Sequence, residues 1–351
     1  KAPALFDLTT LQREANKRLG FTAQQTLDYT QSLYEKKLVS YPRTDSRYLT
    51  DDMESTLPNL IAKAEKVSGL KPTEVQDHHC VINSKKVTDH HAIIPTASVD
   101  KADLSELPNG EREVLKLIAT RLLEAVSSPC VYAEAVLEGE CEGERFTAKG
   151  KSVIDPGWKG VAKISEKKKN DPDDTALGDI SSLHEGDEIK IIQSGVKAGK
   201  TTPPKSYTED MLLSAMEKAG SDETPDEAER KGLGTPATRA GIIEKLVRIG
   251  FIERKGDKKT KYLVPTHKGE MLITVIPEAI QSASMTAEWE QKLLEVEKES
   301  YSADQFMDEI EDMVRDLVDT YEIVPDAEVL MKPAYAPLGK CPNCGSDVIA
   351  K

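Results

Sequence analysis

A weak internal repeat narrows the fold more than any other feature of the chain. Displacement by 213 positions lays Thr22 on Thr235, Leu33 on Leu246, Tyr34 on Val247, Leu38 on Phe251 and Val39 on Ile252. Both stretches then read as cap, helix, short strand and polar hairpin, which is the logic of a winged helix. In the same register Tyr41 falls on Arg254, at the root of the second hairpin.

The sequence around the two copies sorts into distinct segments. Residues 7 to 50 read as helix, helix, strand and polar loop. Thr22-Ala23-Gln24-Gln25 has capping-box spacing, with Leu27, Leu33 and Tyr34 on the expected inner face and Leu38-Val39 as a short strand. Asp51 to Val67 and Glu111 to Ser127 read as helices, the second from the spacing of Val114, Leu115, Ile118, Leu122 and Val126. At Pro129 the helical stripe stops. Residues 130 to 165 alternate and are punctuated by glycine, which predicts two long antiparallel strands, and a further strand is expected at Glu188 to Gln193.

After Thr202-Pro203-Pro204 the chain turns helical again. Ser206-Tyr207-Thr208-Glu209 reads as another capping box, opening a helix that ends near Gly220. Thr235 with Pro236 behind it is a strong helix start, with Ile242, Ile243, Leu246 and Val247 as the expected buried face. A strand at Phe251-Ile252, a basic hairpin from Glu253 to Tyr262 and two helices over 286 to 321 complete the pattern.

A chain of 351 residues exceeds one ordinary core and implies two or three domains. No apolar run approaches the length of a membrane span, and the first residues, which lack a methionine, carry no signal-peptide pattern. The expectation is a cytoplasmic segment of a longer protein with no membrane partner. Five irregularly spaced cysteines argue against a disulfide framework. The net charge of −14 argues mildly against nucleic acid, but the charge is uneven. From Arg230 to Tyr262 ten lysines and arginines face three acids, a net of +7, as a surface tracking phosphates requires.

The densest chemistry lies in Tyr41-Pro42-Arg43-Thr44-Asp45-Ser46-Arg47: a candidate nucleophile, two fixed cations and several hydrogen-bonding groups. A phenol with an ordinary pKa of ~10 is a poor nucleophile until activated or positioned, and Arg43 is near enough in sequence to stabilise developing phosphate charge. Asp77-His78-His79-Cys80 and Asp89-His90-His91 lack the spacing of a zinc site, although the apolar run from Ala92 could anchor a histidine able to donate to phosphate or shuttle a proton. Cys341-Pro342-Asn343-Cys344 is half a zinc knuckle, so zinc would need a second cysteine pair.

At this point a resemblance is recognisable. Tyr41-Pro42-Arg43-Thr44-Asp45-Ser46-Arg47-Tyr48-Leu49 resembles the active-site signature of type IA DNA topoisomerases. Asp89-His90-His91-Ala92-Ile93-Ile94-Pro95-Thr96, Gly232-Leu233-Gly234-Thr235-Pro236-Ala237-Thr238 and Thr286-Ala287-Glu288-Trp289-Glu290 follow in the family's order. The proline after the tyrosine and the DHHAIIPT form are similar to the bacterial topoisomerase III branch.

The resemblance implies that Tyr41 attacks single-stranded DNA and is left joined to a 5′-phosphate, with Arg43 as the stabilising cation. His90 is the better match to the family's active-site histidine and His91 the other candidate. Strand passage and religation would then relax or decatenate DNA without ATP. Candidate DNA contacts are Thr44, Asp45, Ser46 and Arg47 in the tyrosine loop. In the second copy they are Thr235, Thr238 and Arg239 at the helix start, with Arg254 and Lys255 on the hairpin.

The family's Toprim domain, which carries the Mg2+ ligands, has no counterpart in these residues. The expectation is therefore a fragment that binds single-stranded DNA without cleaving it. Its expected architecture is multidomain α+β, part of a toroidal core: two mainly helical winged-helix (CAP-like) domains joined by an antiparallel β-rich gate. The boundaries are 1–128 for the tyrosine domain, 129–200 for the gate, 201–335 for the helical DNA-binding base and 336–351 for the start of a zinc ribbon. A helicase or single-strand binding protein is the expected cellular partner. The competing reading is a non-enzymatic winged-helix DNA-binding protein; a tyrosine recombinase fits less well, because its tyrosine lies late in the chain.

Overall fold

The computed structural model describes residues 1–74, 78–162, 183–219, 232–257, 260–325 and 338–348. The chain forms two compact units, one of Lys1–Ala15 with Gln25–Lys205 and the other of Asn16–Gln24 with Ser206–Lys351. The architecture mixes helices with small two-stranded antiparallel sheets. Among the described residues no helix is long and apolar enough to cross a membrane.

The chain begins with α1 (Leu8–Leu19) and α2 (Ala23–Glu35), which both units share. The first unit continues with α3 (Leu57–Ser68) and α4 (Asn109–Val126). Their apolar residues recur at three- and four-residue intervals, so each helix buries one stripe: Leu57, Leu60, Ile61 and Ala64 on α3, and Val114, Leu115, Ile118 and Leu122 on α4. Each fully buried leucine or isoleucine contributes about 1.5–3 kcal/mol relative to exposure. The expected hairpin follows as β1 (Val131–Cys141) and β2 (Glu144–Asp155), with Glu134 opposite Lys151 and Glu140 opposite Arg145.

The expected strand at Glu188–Gln193 does not form. Ile189, Ile191 and Ile192 are exposed, and no described residue pairs with them. An alternating pattern signals a strand only where a partner edge completes its ladder.

The second unit contains α5 (Glu209–Lys218), α6 (Pro236–Ile249), the hairpin β3 (Ile252–Gly256) and β4 (Lys261–Pro265), and then α7 (His267–Val275). The helices α8 (Ala283–Glu297) and α9 (Ala303–Thr320) follow. A two-residue pair, β5 (Gly339–Lys340) and β6 (Asp347–Val348), closes the described chain. Leu213, Met216, Ala240, Ile243 and Leu263 form this unit's core with Ala23.

Two details depart from expectation here. The cap of α5 is Thr208, not Ser206, because Tyr207 accepts a backbone bond from Leu263 and Thr208 bridges Tyr262, keeping the chain extended up to the helix. On α6 the buried residues are Arg239, Ala240 and Ile243, whereas Ile242 is exposed and Leu246 and Val247 are only half-buried.

The helix closures of the two copies match bond for bond at the 213-position offset, and a similar arrangement offset by 201 positions precedes them. In the first copy the Phe6 carbonyl accepts from Ile93 N–H (2.8 Å) and Asp7 Oδ1 caps α1 through Thr10 N–H (2.6 Å). In the second, Tyr207 accepts from Leu263 (2.7 Å) and Thr208 Oγ1 caps α5 through Met211 (3.3 Å). The helix α2 ends with Lys37 N–H donating to Tyr34 and Leu38 N–H to Leu33; α6 ends with Gly250 donating to Val247 and Phe251 to Leu246. These are paired Schellman closures, with Lys37 (φ 61°) and Gly250 (φ 83°) in the left-handed region.

A Pro-Thr pair then locks each closure. Val39 pairs with Pro95 and Ile252 with Pro265. Thr96 donates its N–H to Leu38 O and its hydroxyl to Lys37 O, as Thr266 does to Phe251 O and Gly250 O. The copies differ in what joins the paired strands. The second has the expected tight hairpin. In the first, Leu38-Val39 makes only an isolated bridge, and the connection runs through residues 40 to 92 and includes α3, so the expected hairpin after Tyr41 is absent.

A left-handed residue with a side chain costs about 1–2 kcal/mol that glycine avoids. Lys37→Gly is therefore expected to stabilise the protein by about 1 kcal/mol, and Gly250→Ala to destabilise it by a similar amount, in urea unfolding followed by circular dichroism. Shifts of the same sign in both variants would remove this explanation.

Candidate active site

Tyr41 lies where the strand after α2 leaves its pairing with residues 93–95. Ser40 fixes that point: its N–H donates to Ile94 O (3.0 Å), and its hydroxyl donates to Ala92 O (2.9 Å) and accepts from Ile94 N–H (3.0 Å). The half-buried Tyr41 ring meets His90 at 4.3 Å between centroids, tilted by 41°, and Tyr34 edge-on at 5.4 Å and 82°. His91 instead directs Nδ1 at Ala92 O (2.8 Å). Tyr34, expected on the inner face of α2, is 39% exposed and packs on Tyr41.

The rest of the loop divides into scaffolding and exposed groups. Thr44 is buried and donates to His90 O (2.7 Å), tying the tyrosine loop to the histidine segment. Ser46 is buried and donates to Lys86 O (2.8 Å). Both buried hydroxyls are thus committed to backbone carbonyls. Arg47 pairs with Asp7, the residue that caps α1. Asp45 is exposed and accepts from Thr88 (3.3 Å). Arg43 is exposed and makes no hydrogen bond or ion pair with a described residue.

The second candidate surface is the start of α6. Gly232 and Gly234 both adopt positive φ, and a Cβ on Gly232 would lie 2.1 Å from Met216 O. Only glycine permits that approach, which lets Leu233 N–H reach the same carbonyl at 2.7 Å. Arg239 is 2% exposed and donates from Nε to Leu233 O (3.1 Å) and from Nη2 to Gly234 O (3.0 Å). It holds the loop rather than facing solvent. Thr235 and Thr238 form the capping box at the exposed end of the helix, where the dipole favours an anion.

Arg254 is likewise engaged within the protein. Its guanidinium binds Glu209 through Nε (2.7 Å) and Glu244 through the terminal nitrogens, with the side chain only 17% exposed. Burial works against the cation, but the bonds and charges of Glu244 and Glu209 outweigh it and raise its pKa above the ordinary value. The other Glu209 oxygen accepts from Ala23 N–H (2.7 Å). Lys255 remains 62% exposed, beside Glu253 (2.6 Å). The basic residues 230, 231, 258 and 259 of the +7 segment lie outside the described residues.

Cys341 and Cys344 lie on the turn between β5 and β6, where Gly345 N–H bonds Cys341 O (2.9 Å) and Cys341 N–H bonds Ser346 O (2.8 Å). The Ser346 backbone and hydroxyl, followed by Cys341, hold the Cys344 thiol below its usual pKa. Two thiols are half of a tetrahedral zinc set. Among the described residues no three His, Cys, Asp or Glu side chains converge as metal ligands. Asp77 lies outside them, as do the side chains of His78 and His79.

A family model described as DNA topoisomerase matches residues 1–308. The chain is 38% identical over 358 aligned residues to DNA topoisomerase 3 of Bacillus subtilis, covering 98% of this chain and 48% of that protein. Identity to DNA topoisomerase 3 of Bacillus licheniformis is 37%, with the same coverage. Among solved structures, full-length topoisomerase I from Thermotoga maritima matches with a TM-score of 0.63 and 24% identity over 99% of this chain and 53% of that one, a likeness of fold. The chain spans about half the length of the curated relatives it matches.

Removing Arg254 would leave Glu209, 4% exposed, without its cation. Arg254→Ala is expected to cost about 3 kcal/mol in urea unfolding, whereas Lys255→Ala should stay within about 0.5 kcal/mol. Equal losses would contradict the assignment of Arg254 as an internal ion-pair partner.

Proposed function

The chain belongs to the DNA topoisomerase family, and on that premise we propose that it carries the tyrosine-bearing part of a type IA, topoisomerase III-like enzyme. The supporting observation is the meeting of Tyr41 and His90, two residues before an exposed Arg43 that is unpaired among the described residues, on a loop anchored by the backbone bonds of Ser40, Thr44 and Tyr48. The substrate is single-stranded DNA. The Tyr41 oxygen loses its proton and attacks phosphorus, the bond to the 3′ oxygen breaks, and that oxygen takes up a proton. The strand is left joined to Tyr41 through its 5′-phosphate. The phosphotyrosine keeps the energy of the broken phosphodiester, so the reverse attack by the 3′ hydroxyl reseals the strand without ATP.

Arg43 supplies a fixed cation for the charge that gathers on the phosphate oxygens. His90 donates to the same phosphate or carries a proton to the leaving oxygen. Arg47, Thr235, Thr238 and Lys255 are the proposed strand contacts, with Asp45 at the loop edge. Thr44, Ser46, Arg239 and Arg254 hold the loops that present them. Magnesium would supply electrostatic stabilisation in the complete enzyme, but the described side chains do not form a site that fits it, and no step is drawn through it. Cys341 and Cys344 would hold zinc only with a second pair of ligands.

The two copies are read as winged-helix units. The proposed division is a tyrosine domain at 1–128, a β-rich gate at 129–200, a DNA-binding base at 201–335 and the knuckle from 336. This chain is expected to bind a single-stranded oligonucleotide with an affinity that falls as salt rises, and to leave no covalent adduct in the presence of magnesium. A denaturing gel showing protein joined to labelled DNA would sink the second expectation. In a protein of the relatives' full length, Tyr41→Phe should abolish relaxation and leave single-strand binding unchanged; retained relaxation would rule out Tyr41 as the nucleophile.

A further inference from the structure

We propose that Tyr34 is a positioning residue for Tyr41: from the last turn of α2 its ring fixes the direction in which the Tyr41 phenol is presented. The inference rests on Tyr41 being the nucleophile, and it concerns a residue outside the tyrosine loop. The two rings meet edge-to-face, with centroids 5.4 Å apart and planes 82° apart, the arrangement that the aromatic quadrupole favours. Tyr34 also provides the carbonyl that accepts Lys37 N–H in the closure of α2. Ring and backbone of one residue therefore tie the helix end to the strand that delivers Tyr41.

Packing of the fold does not account for this ring. Tyr34 is 39% exposed, so it is not a core residue. Its hydroxyl makes no hydrogen bond with a described residue, so the ring rather than the oxygen is at work. The internal repeat supplies a control. In the second copy the same closure, with the same carbonyl-to-N–H bond, is built on Val247, and the position matching Tyr41 is Arg254. The scaffold can therefore be made without an aromatic residue at this place. The aromatic pair appears in the copy that carries the candidate nucleophile, and there Tyr41 also touches His90.

The physical consequence is a restricted phenol. Tyr41 is half-buried on a loop with no regular secondary structure, and a neighbouring ring narrows its rotation. A nucleophile held near its attack geometry reacts faster without binding substrate more tightly. Loss of the Tyr34 ring should therefore slow the chemical step and leave affinity unchanged.

The contact can be tested in this chain with 13C-labelled tyrosine rings, the Tyr41 signals being identified by their loss in Tyr41→Phe. Tyr34→Leu is expected to move those signals toward free-tyrosine positions while the Tyr48 signals stay in place as a folding control. Tyr34→Phe should leave the Tyr41 signals where they are. Unmoved Tyr41 signals in Tyr34→Leu would overturn the proposal.

The catalytic arm uses a protein of the relatives' full length containing these residues. Single-turnover formation of the covalent adduct should slow by about 3- to 10-fold in Tyr34→Leu, the range an aromatic contact supplies. The dissociation constant for a single-stranded oligonucleotide should stay unchanged, and Tyr34→Phe should restore the rate. A fall in affinity as large as the fall in rate would make Tyr34 a DNA contact and overturn the positioning role. If the unsubstituted protein formed no adduct, the proposed function would fail, while the ring signals would still decide whether Tyr34 orients Tyr41.

Discussion

The geometry of the tyrosine site depends on how α2 is closed. A helix end leaves carbonyls without partners, and here Lys37 turns left-handed so that its own N–H and that of Leu38 can satisfy two of them. Thr96, far away in the sequence, locks the turn by bonding Lys37 O and Leu38 O. That lock brings residues 93–95 alongside 38–40 and carries the preceding His90 toward Tyr41. Without this closure, neither the Tyr34 contact nor the His90 contact has a frame. The second copy uses the same lock, with Gly250 at the turn and Thr266 in place of Thr96. One local solution thus builds two surfaces with different chemistry.

The distribution of arginines follows a second physical rule. A guanidinium can meet solvent and phosphate, or it can satisfy buried acceptors, and the chain uses both options within one basic segment. Arg239 holds the carbonyls of the glycine loop, and Arg254 neutralises Glu209 and Glu244. Each supports a neighbour that stays exposed: the Thr235–Thr238 helix start in one case and Lys255 in the other. In the tyrosine loop Arg43 is unpaired among the described residues, and Arg47 pairs with Asp7 while 38% of its side chain stays exposed. A count of positive charge along a sequence overstates the number of cations available to a ligand, because ion pairs with distant acids consume some of them.

Much of the local structure was legible in the residues. The 213-residue register, the Thr235-Pro236 helix start, the β1–β2 and β3–β4 hairpins and the buried stripe of α4 all follow from interactions within a few turns or across one tight turn. The order of motifs also singled out Tyr41 and His90, whose rings meet in the structure. The departures occur where a residue's role depends on a distant partner. Ser206 yields to Thr208 because β4 keeps residue 207 extended, and Glu188–Gln193 lacks a described strand to pair with.

By itself, the sequence determined where most helices lie, which stretches repeat and which family the chain resembles, because capping, periodicity and turn chemistry are short-range. Only the tertiary structure decided that Tyr34 leaves the inner face to meet Tyr41, that His90 rather than His91 lies against it, and that Thr44, Ser46, Arg239 and Arg254 turn inward. Those outcomes rest on contacts such as Thr96 with Lys37 and Glu209 with Arg254. The energy of such contacts depends on burial and on distance in space, neither of which can be read from adjacency along the chain.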